Sequence, residues 1–144
     1  MNLLEKEITD KTFVENLIPQ KYPFVMVDKM LHFDEKKVVA GLTIHPENIF
    51  VHNNRFTAPG LIEHMAQTVA LHTGYEFFLK NEDAPVGYIG AIKTAEVFEL
   101  PKVEDELITT VIILHNIMGV TMVKAETFCN GKLVAQSEMK TVLA

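Results

Sequence analysis

Residues 58–80 of the chain read APGLIEHMAQTVALHTGYEFFLK, with apolar side chains at helical spacing on more than one face. One face carries Leu61, Met65, Val69 and His72, and another carries Ile62, Ala66 and Ala70. A helix that is apolar on nearly every side is surrounded by protein. This run therefore predicts one long central helix that the rest of the chain has to cover.

The segments on either side of this helix predict strands, with one short helix in front. The leading helix spans residues 10–18, where Asp10 can cap its start and Pro19 stops it. Strands are predicted at 22–33, 38–44, 86–97, 106–116, 119–129 and 132–143, with a loop over 45–57. The last two strands meet at Asn130-Gly131, a strong hairpin signal. We therefore expect an α+β fold in which an antiparallel β-sheet wraps around one long central helix.

The length and composition fit one globular domain over residues 1–144. A net charge of -6, without a stripe of Lys or Arg, argues against nucleic acid as a partner. Cys129 is the only cysteine, which excludes an intrachain disulfide and favours a reducing compartment. No apolar run is long enough for a membrane span, and Glu5 and Glu7 stand where a signal peptide would be basic. We therefore expect a cytoplasmic protein with no membrane partner.

Glu63 is the residue for which a purely structural role is hardest to find. It lies in the first turns of the predicted helix, where burial of an unpaired carboxylate is unfavourable. Gln67 lies one turn further on the same face, and Gly74 continues this stripe with room expected beside it. The stripe indicates a site in which Glu63 is catalytic and Gln67 binds substrate. The alternative is that Glu63 only favours the helix dipole or pairs across a subunit interface.

The start of the predicted helix offers backbone donors. The amides around Gly60 and Leu61 carry partial positive charge, which suits a thioester carbonyl or a developing enolate. Thr57 can cap this helix start, and Gly60 would let a ligand approach the backbone. Gly60 and Leu61 are therefore expected to bind substrate.

The loop before the helix supplies a candidate base. His52 lies 11 positions before Glu63, and the two could form an acid–base pair at one substrate. A loop histidine is also often a solvated bystander, so this alternative stays open. Phe56 and Asn53, from the same loop, complete the expected substrate-binding set.

Motifs for other chemistry are absent from the sequence. His64 follows Glu63 but points about 100° away around the helix. The remaining histidines show no metal-ligand spacing. No nucleophile elbow, phosphate-binding glycine loop or dinucleotide fingerprint occurs. We therefore expect neither a metal nor a cofactor.

Four segments together resemble the FabZ-like 3-hydroxyacyl-[acyl carrier protein] dehydratases. They are Leu17–Asp28 (LIPQKYPFVMVD), Glu63–Gln67 (EHMAQ), Gly87–Ile92 (GYIGAI) and Gly131–Met139 (GKLVAQSEM). The first looks like the opening of that family, the second like the start of its active-site helix, and the last two like its third and final strands. A short loop before the helix, and ALHTGY after EHMAQT, look closer to the divergent dehydratase-like proteins of aryl-polyene and flexirubin pigment clusters.

The resemblance implies a hotdog fold that forms a dimer, with an active-site tunnel at the subunit interface. In the family a loop histidine removes the α-proton while the helix carboxylate protonates the departing 3-hydroxyl, and the product is a trans-2-enoyl thioester. Glu63 matches the family's acid through the Met-Ala-Gln that follows. Residues 50–60 read FVHNNRFTAPG, which is shorter than the family's loop and lacks its His-Phe-Pro. Either His52 substitutes for the family's histidine, or the base is missing from this chain.

The expected function is dehydration of a 3-hydroxyacyl thioester, bound to an acyl carrier protein, in fatty-acid or polyene biosynthesis. The alternatives are a catalytically weak hotdog subunit that binds an active partner, and an acyl thioesterase. A homodimer is expected, and a heterodimer with another hotdog subunit is the other arrangement considered. Carrier docking would depend on Arg55, Lys93 and Lys102, since residues 98–105 are mostly acidic.

Overall fold

The structure is a computed structural model that describes residues 1–144. It contains two helices, α1 (Lys11–Asn16) and α2 (Ala58–Leu79). The strands are β1 (Lys29–Asp34), β2 (Lys37–Thr43), β3 (Val51–His52), β4 (Arg55–Phe56), β5 (Gly87–Val97), β6 (Glu106–Ile117), β7 (Val120–Cys129) and β8 (Lys132–Leu143). Neither helix is both long enough and apolar enough to cross a membrane.

Six strands form one antiparallel sheet in the order β1-β2-β6-β7-β8-β5, and β3 pairs with β4 in a separate hairpin. Helix α2 packs on this sheet and contacts β2, β5, β6, β7 and β8. The predicted α+β arrangement, an antiparallel sheet around one long helix, is therefore confirmed.

The core lies between α2 and the inner face of the sheet. Leu61 and Met65 of α2 are fully buried, and so are Leu107, Thr109 and Val111 of β6. Burial at every second residue of β6 follows the two-residue period of a strand with one inner face. Burial of apolar surface, worth roughly 25 cal/mol per Å², holds α2 in place and thereby fixes the direction of its polar side chains.

Gly74 marks a close approach between α2 and the chain that follows α1. A Cβ at this position would overlap the backbone carbonyl oxygen of Leu17. The space beside Gly74 is therefore filled by backbone, and the room expected there is absent. The glycine instead lets the segment after α1 lie directly against α2.

Two segments differ from the prediction. β1 begins at Lys29 because the peptide groups of Phe24 and Met26, further upstream, bond to side chains of α2 and not to a strand. The predicted loop contains the β3–β4 hairpin, whose turn residues Asn53 and Asn54 have φ values of 50° and 63°. Positive φ at both central residues is what the tight two-residue hairpin turn requires.

Strands β5 and β1 form the two edges of the sheet. Every residue of β5 after Gly87 is exposed, including the apolar side chains of Tyr88, Ile89 and Ile92. The row of unpaired backbone groups on such an edge is a template for another strand, and proteins generally cover, break or pair it. β5 is therefore a long strand whose outer side lies open.

Candidate active site

Glu63 lies on the second turn of α2, partly buried, in the wall of a cleft of about 280 Å³. The cleft is bounded by α2, by the segment after α1 and by the ends of β5 and β8. Its lining consists of Leu17, Pro19, Gln20, Glu63, Ala66, Val69, Ala70, Thr73, Ala84, Pro85, Gly87, Tyr88, Ile89, Thr141 and Leu143. The cleft thus places one carboxylate beside apolar walls, a combination suited to a hydrocarbon chain with a polar reacting group.

Gln67 holds the carboxylate of Glu63. Its Nε2 donates to Glu63 Oε2 at 2.7 Å and to the carbonyl oxygen of Phe24 at 2.8 Å. Its Oε1 accepts from the backbone N–H of Met26 at 2.6 Å. Gln67 is fully buried, and both hydrogens of its amide are used within the protein. The predicted pairing of Glu63 and Gln67 on one helix face is present, with Gln67 bonded to protein groups on every side.

The helix start is closed by aromatic side chains. The backbone N–H of Leu61 donates to the carbonyl oxygen of Thr57 at 3.1 Å, so this amide belongs to the helix ladder. A Cβ at Gly60 would lie 2.7 Å from atoms of both Phe50 and Phe56, and Phe56 is fully buried. The structure therefore does not bring Gly60, Leu61 or Phe56 to the wall of the Glu63 cleft.

Thr57 occupies the N-cap position of α2 without forming the predicted capping bond. Its hydroxyl donates to the carbonyl oxygen of Phe50 at 2.7 Å, and its backbone N–H bonds to the same oxygen at 3.0 Å. Because the hydroxyl bonds to the loop that precedes the helix, it does not cap the helix amides.

His52 and Asn53 lie on the β3–β4 hairpin and are exposed. His52 pairs with Arg55 across the hairpin, and Asn53 forms its turn. Neither residue lines the cleft that contains Glu63. Within one chain the structure does not bring the candidate base to the candidate acid.

His64 forms a buried network on the sheet side of α2. Its Nδ1 lies 2.7 Å from the carbonyl oxygen of Met26, and its Nε2 lies 2.8 Å from Thr109 Oγ1. A carbonyl oxygen only accepts, so Nδ1 carries the hydrogen and Nε2 accepts from Thr109, which lies 2.6 Å from Thr127 Oγ1. Burial lowers the pKa of His64 to about 4, and the bond to Met26 opposes this only in part. The ring is therefore neutral near pH 7.

Sequence reasoning missed Gln20 and Tyr88, which line the cleft with Glu63. Both belong to the segments that carry the family resemblance, 17–28 and 87–92, and that was the available signal. The structure contains no group of three or more His, Cys, Asp or Glu side chains placed to hold a metal ion. Burial, with the nearby Asp105, raises the pKa of Cys129 to about 11, so this cysteine stays a thiol.

Comparisons with known proteins agree on one family. A family model described as ApeP-like, ApeP dehydratase, matches residues 12–143. The 3-hydroxyacyl-[acyl-carrier-protein] dehydratase FabZ of Clostridium botulinum is 31% identical, over 96% of this chain and 98% of that one. The same enzyme of Haemophilus ducreyi is 28% identical, over 92% of this chain and 90% of that one.

Two solved structures have the same architecture as this chain. A chain of the dehydratase heterocomplex ApeI:P from Xenorhabdus doucetiae matches with a TM-score of 0.85 at 15% identity, over 91% of this chain and 90% of that chain. The protein PH1136 from Pyrococcus horikoshii matches with a TM-score of 0.68 at 13% identity, over 90% of this chain and 92% of that chain. These neighbours have the hotdog fold, and the predicted hotdog fold is confirmed.

Proposed function

Since the chain belongs to the ApeP-like dehydratase family, we propose that it dehydrates a 3-hydroxyacyl thioester to the trans-2-enoyl thioester, with Glu63 as general acid. The observation that carries this proposal is the Glu63 carboxylate, fixed by Gln67 at 2.7 Å in the wall of a cleft that has apolar side chains on several sides. Apolar walls accommodate an acyl chain, and a fixed carboxyl group beside them can exchange a proton with a group on that chain.

Dehydration needs one acid and one base. Glu63 gives its proton to the 3-hydroxyl, which leaves as water, while a base removes a proton from C2. The electrons of that C–H bond form the C2–C3 double bond. Because Gln67 donates to Oε2, the free oxygen Oε1 is the one that carries the transferable proton. Gln67 therefore acts as a positioning residue for Glu63.

The base comes from a second subunit in this proposal. His52 is exposed and lies outside the Glu63 cleft of its own chain, and the edge of β5 is open to another strand. We propose that β5 pairs with a second hotdog subunit, which brings a base to Glu63. If the subunits are identical, that base is His52 of the neighbouring copy.

A second candidate function follows from the same observation. Without a base at Glu63 within the chain, the protein would be catalytically weak by itself and would act as one half of a mixed dehydratase. The similarity to a chain of the heterocomplex ApeI:P supports this candidate. Its active partner would be a different hotdog subunit that supplies the complete acid–base pair.

The acyl group is proposed to be carrier-bound, as the names of the FabZ relatives state for their substrates. Two of the three cations expected to dock the carrier lie beside an acceptor or a carboxylate. Arg55 Nη1 donates to the carbonyl oxygen of Leu100 at 2.8 Å, and Lys93 lies 3.7 Å from Glu138. A carrier protein would therefore meet a surface of mixed charge, and its affinity should depend weakly on salt.

The test replaces Glu63 by Gln, which keeps the size of the side chain but removes its proton-donating carboxyl group. The product is followed by enoyl absorbance, first with the purified chain and then with a co-expressed hotdog partner. We expect turnover by Glu63→Gln to fall by about a hundredfold or more. Glu76→Gln, the same change on the same helix outside the cleft, is the matched control and should keep full activity.

Each result has a distinct meaning. Unchanged dehydration by Glu63→Gln would remove the carboxylate from the mechanism. Release of free thiol without enoyl product would identify a thioesterase. Activity that appears only with the partner, and is insensitive to both Glu63→Gln and His52→Ala, would favour the mixed dehydratase, because its partner supplies both groups.

A further inference from the structure

Both backbone polar groups of Met26, its N–H and its carbonyl oxygen, form hydrogen bonds with side chains of α2. Gln67 Oε1 accepts from the Met26 N–H at 2.6 Å, and His64 Nδ1 donates to the Met26 carbonyl oxygen at 2.7 Å. The two side chains are three positions apart, so they project from neighbouring positions on one side of the helix. The backbone of residues 24–26 is therefore hydrogen-bonded to side chains of α2, whereas the backbone of a strand would be hydrogen-bonded to a neighbouring strand.

The His64 end of this arrangement is anchored in the sheet. Nε2 of His64 accepts from Thr109, and Thr109 and Thr127 face each other on β6 and β7 with their hydroxyl oxygens 2.6 Å apart. All three side chains are almost completely buried. Rotation of the imidazole would leave buried polar groups unpaired, which is unfavourable, so the ring is fixed.

We propose that His64 is a positioning residue for Glu63, which it orients through the Met26 peptide and Gln67. Gln67 can hold the Glu63 carboxylate in one place only if its own amide is fixed, and its other partners are Phe24 and Met26. His64 fixes that segment from the carbonyl side of Met26. The catalytic consequence rests on the proposed role of Glu63 as general acid.

The chemistry of side-chain amides provides a sharp test. In Asn the amide nitrogen is as many bonds from Cβ as Nδ1 is in His, so His64→Asn keeps a donor for Met26. In Gln the amide group is as far from Cβ as Nε2, so His64→Gln keeps a partner for Thr109 and loses the bond to Met26. His64→Leu loses both bonds and keeps an apolar side chain in the core.

We expect kcat to fall by about tenfold or more in His64→Gln and His64→Leu, with KM changed by less than about threefold, because substrate binding is retained while the acid is misplaced. His64→Asn should restore kcat to within about threefold of the wild type. The control is His72→Leu on the same helix, since His72 is also buried and bonds to one backbone carbonyl, that of Asp34 at 2.8 Å. It should leave kcat unchanged.

A second measurement does not depend on catalysis. Amide hydrogen exchange at Met26 reports the bond to Gln67, and we expect it to accelerate by about tenfold or more in His64→Leu and not in His72→Leu. Equal kcat in His64→Asn and His64→Gln, or unchanged exchange at Met26, would overturn the proposal. If the wild type dehydrates no 3-hydroxyacyl thioester, alone or with a partner, the proposed function fails, and the exchange rate still decides whether His64 fixes Met26.

Discussion

His64 is an ionisable group that the fold keeps neutral. A proton added at Nε2 would remove the acceptor that Thr109 uses, and it would place a charge where solvent is absent. Asp28 and Lys29 are the charged groups that act on its pKa, and they act in opposite directions. Burial therefore decides the protonation state, and the neutral ring can keep its bond to Met26.

Acidification should reveal this burial in the free energy of unfolding. The pKa of His64 is about 4 in the folded chain, against an ordinary value of 6.5, so between these values only the unfolded chain binds the proton. We expect stability to fall as the pH decreases through this window, by up to about 3 kcal/mol near its lower end. Denaturant titrations from about pH 7.5 to about pH 4.5 measure it.

The control for this prediction is His64→Asn, which has no titratable group at the site. Asp34, whose pKa is lowered by the hydrogen bond from His32, contributes equally to both proteins and cancels in the comparison. The variant should lose less stability on acidification than the wild type. Identical pH dependence in the two proteins would show that His64 is accessible to protons in the folded state.

The residues of the candidate site differ in how far the sequence predicts them. Glu63 could be proposed from the sequence because a carboxylate on an apolar helix is visible in a few turns of sequence. The buried bonds of His64 could not be predicted, because its partners Met26 and Thr109 lie 38 and 45 positions away. Contacts over such separations depend on the packing of the whole sheet, and no local pattern encodes them.

Among the elements, those with a clear period were predicted almost to the residue. The helix predicted at 58–80 is α2, Ala58–Leu79, and the strand predicted at 132–143 is β8, Lys132–Leu143. Residues 22–28 were wrongly included in a strand, since a mostly apolar segment that bonds to a helix through Phe24 and Met26 has the same composition as one in a sheet. The β3–β4 hairpin was missed because strands of two residues have no period to detect.

Gly74 allows a prediction for helix α2. Gly74→Ala would normally favour a helix by about 1 kcal/mol. Here the new Cβ would overlap the carbonyl oxygen of Leu17, so we expect a net loss of about 2 kcal/mol or more in the free energy of unfolding. Thr73→Ala, the neighbouring change on the same helix, is the comparison and should have a smaller effect. A stabilised Gly74→Ala protein would mean that the segment after α1 moves freely against α2.

For the whole molecule, the open edge of β5 allows a test of assembly. Ile92→Arg places a charge on an apolar position of this edge strand, and we expect it to shift the particle towards the 16.2 kDa of a single chain. Light scattering measures the mass. Leu114→Arg, a change at a similarly exposed position of β6, serves as the control and should leave the mass unaltered. A wild-type particle already at the single-chain mass would contradict self-pairing and favour a different partner.

The packing of one helix on one sheet could be predicted from the order of the elements, because each element has to cover the apolar surface of another. The complete active site did not follow. Glu63 and Gln67 come together within α2, but the exposed His52 lies on a hairpin outside their cleft. A base contributed by a second subunit, as proposed here, would leave no spacing pattern in the sequence of the first.

The uncovered side of β5 also bears on how the protein is produced. Eleven residues of extended chain with a free row of amide and carbonyl groups can recruit any other extended polypeptide. A newly made copy that has no counterpart yet can aggregate until the open edge of β5 is paired. If the counterpart is a different chain, balanced synthesis of the two should keep this chain out of inclusion bodies, whereas its overproduction by itself should drive it into them.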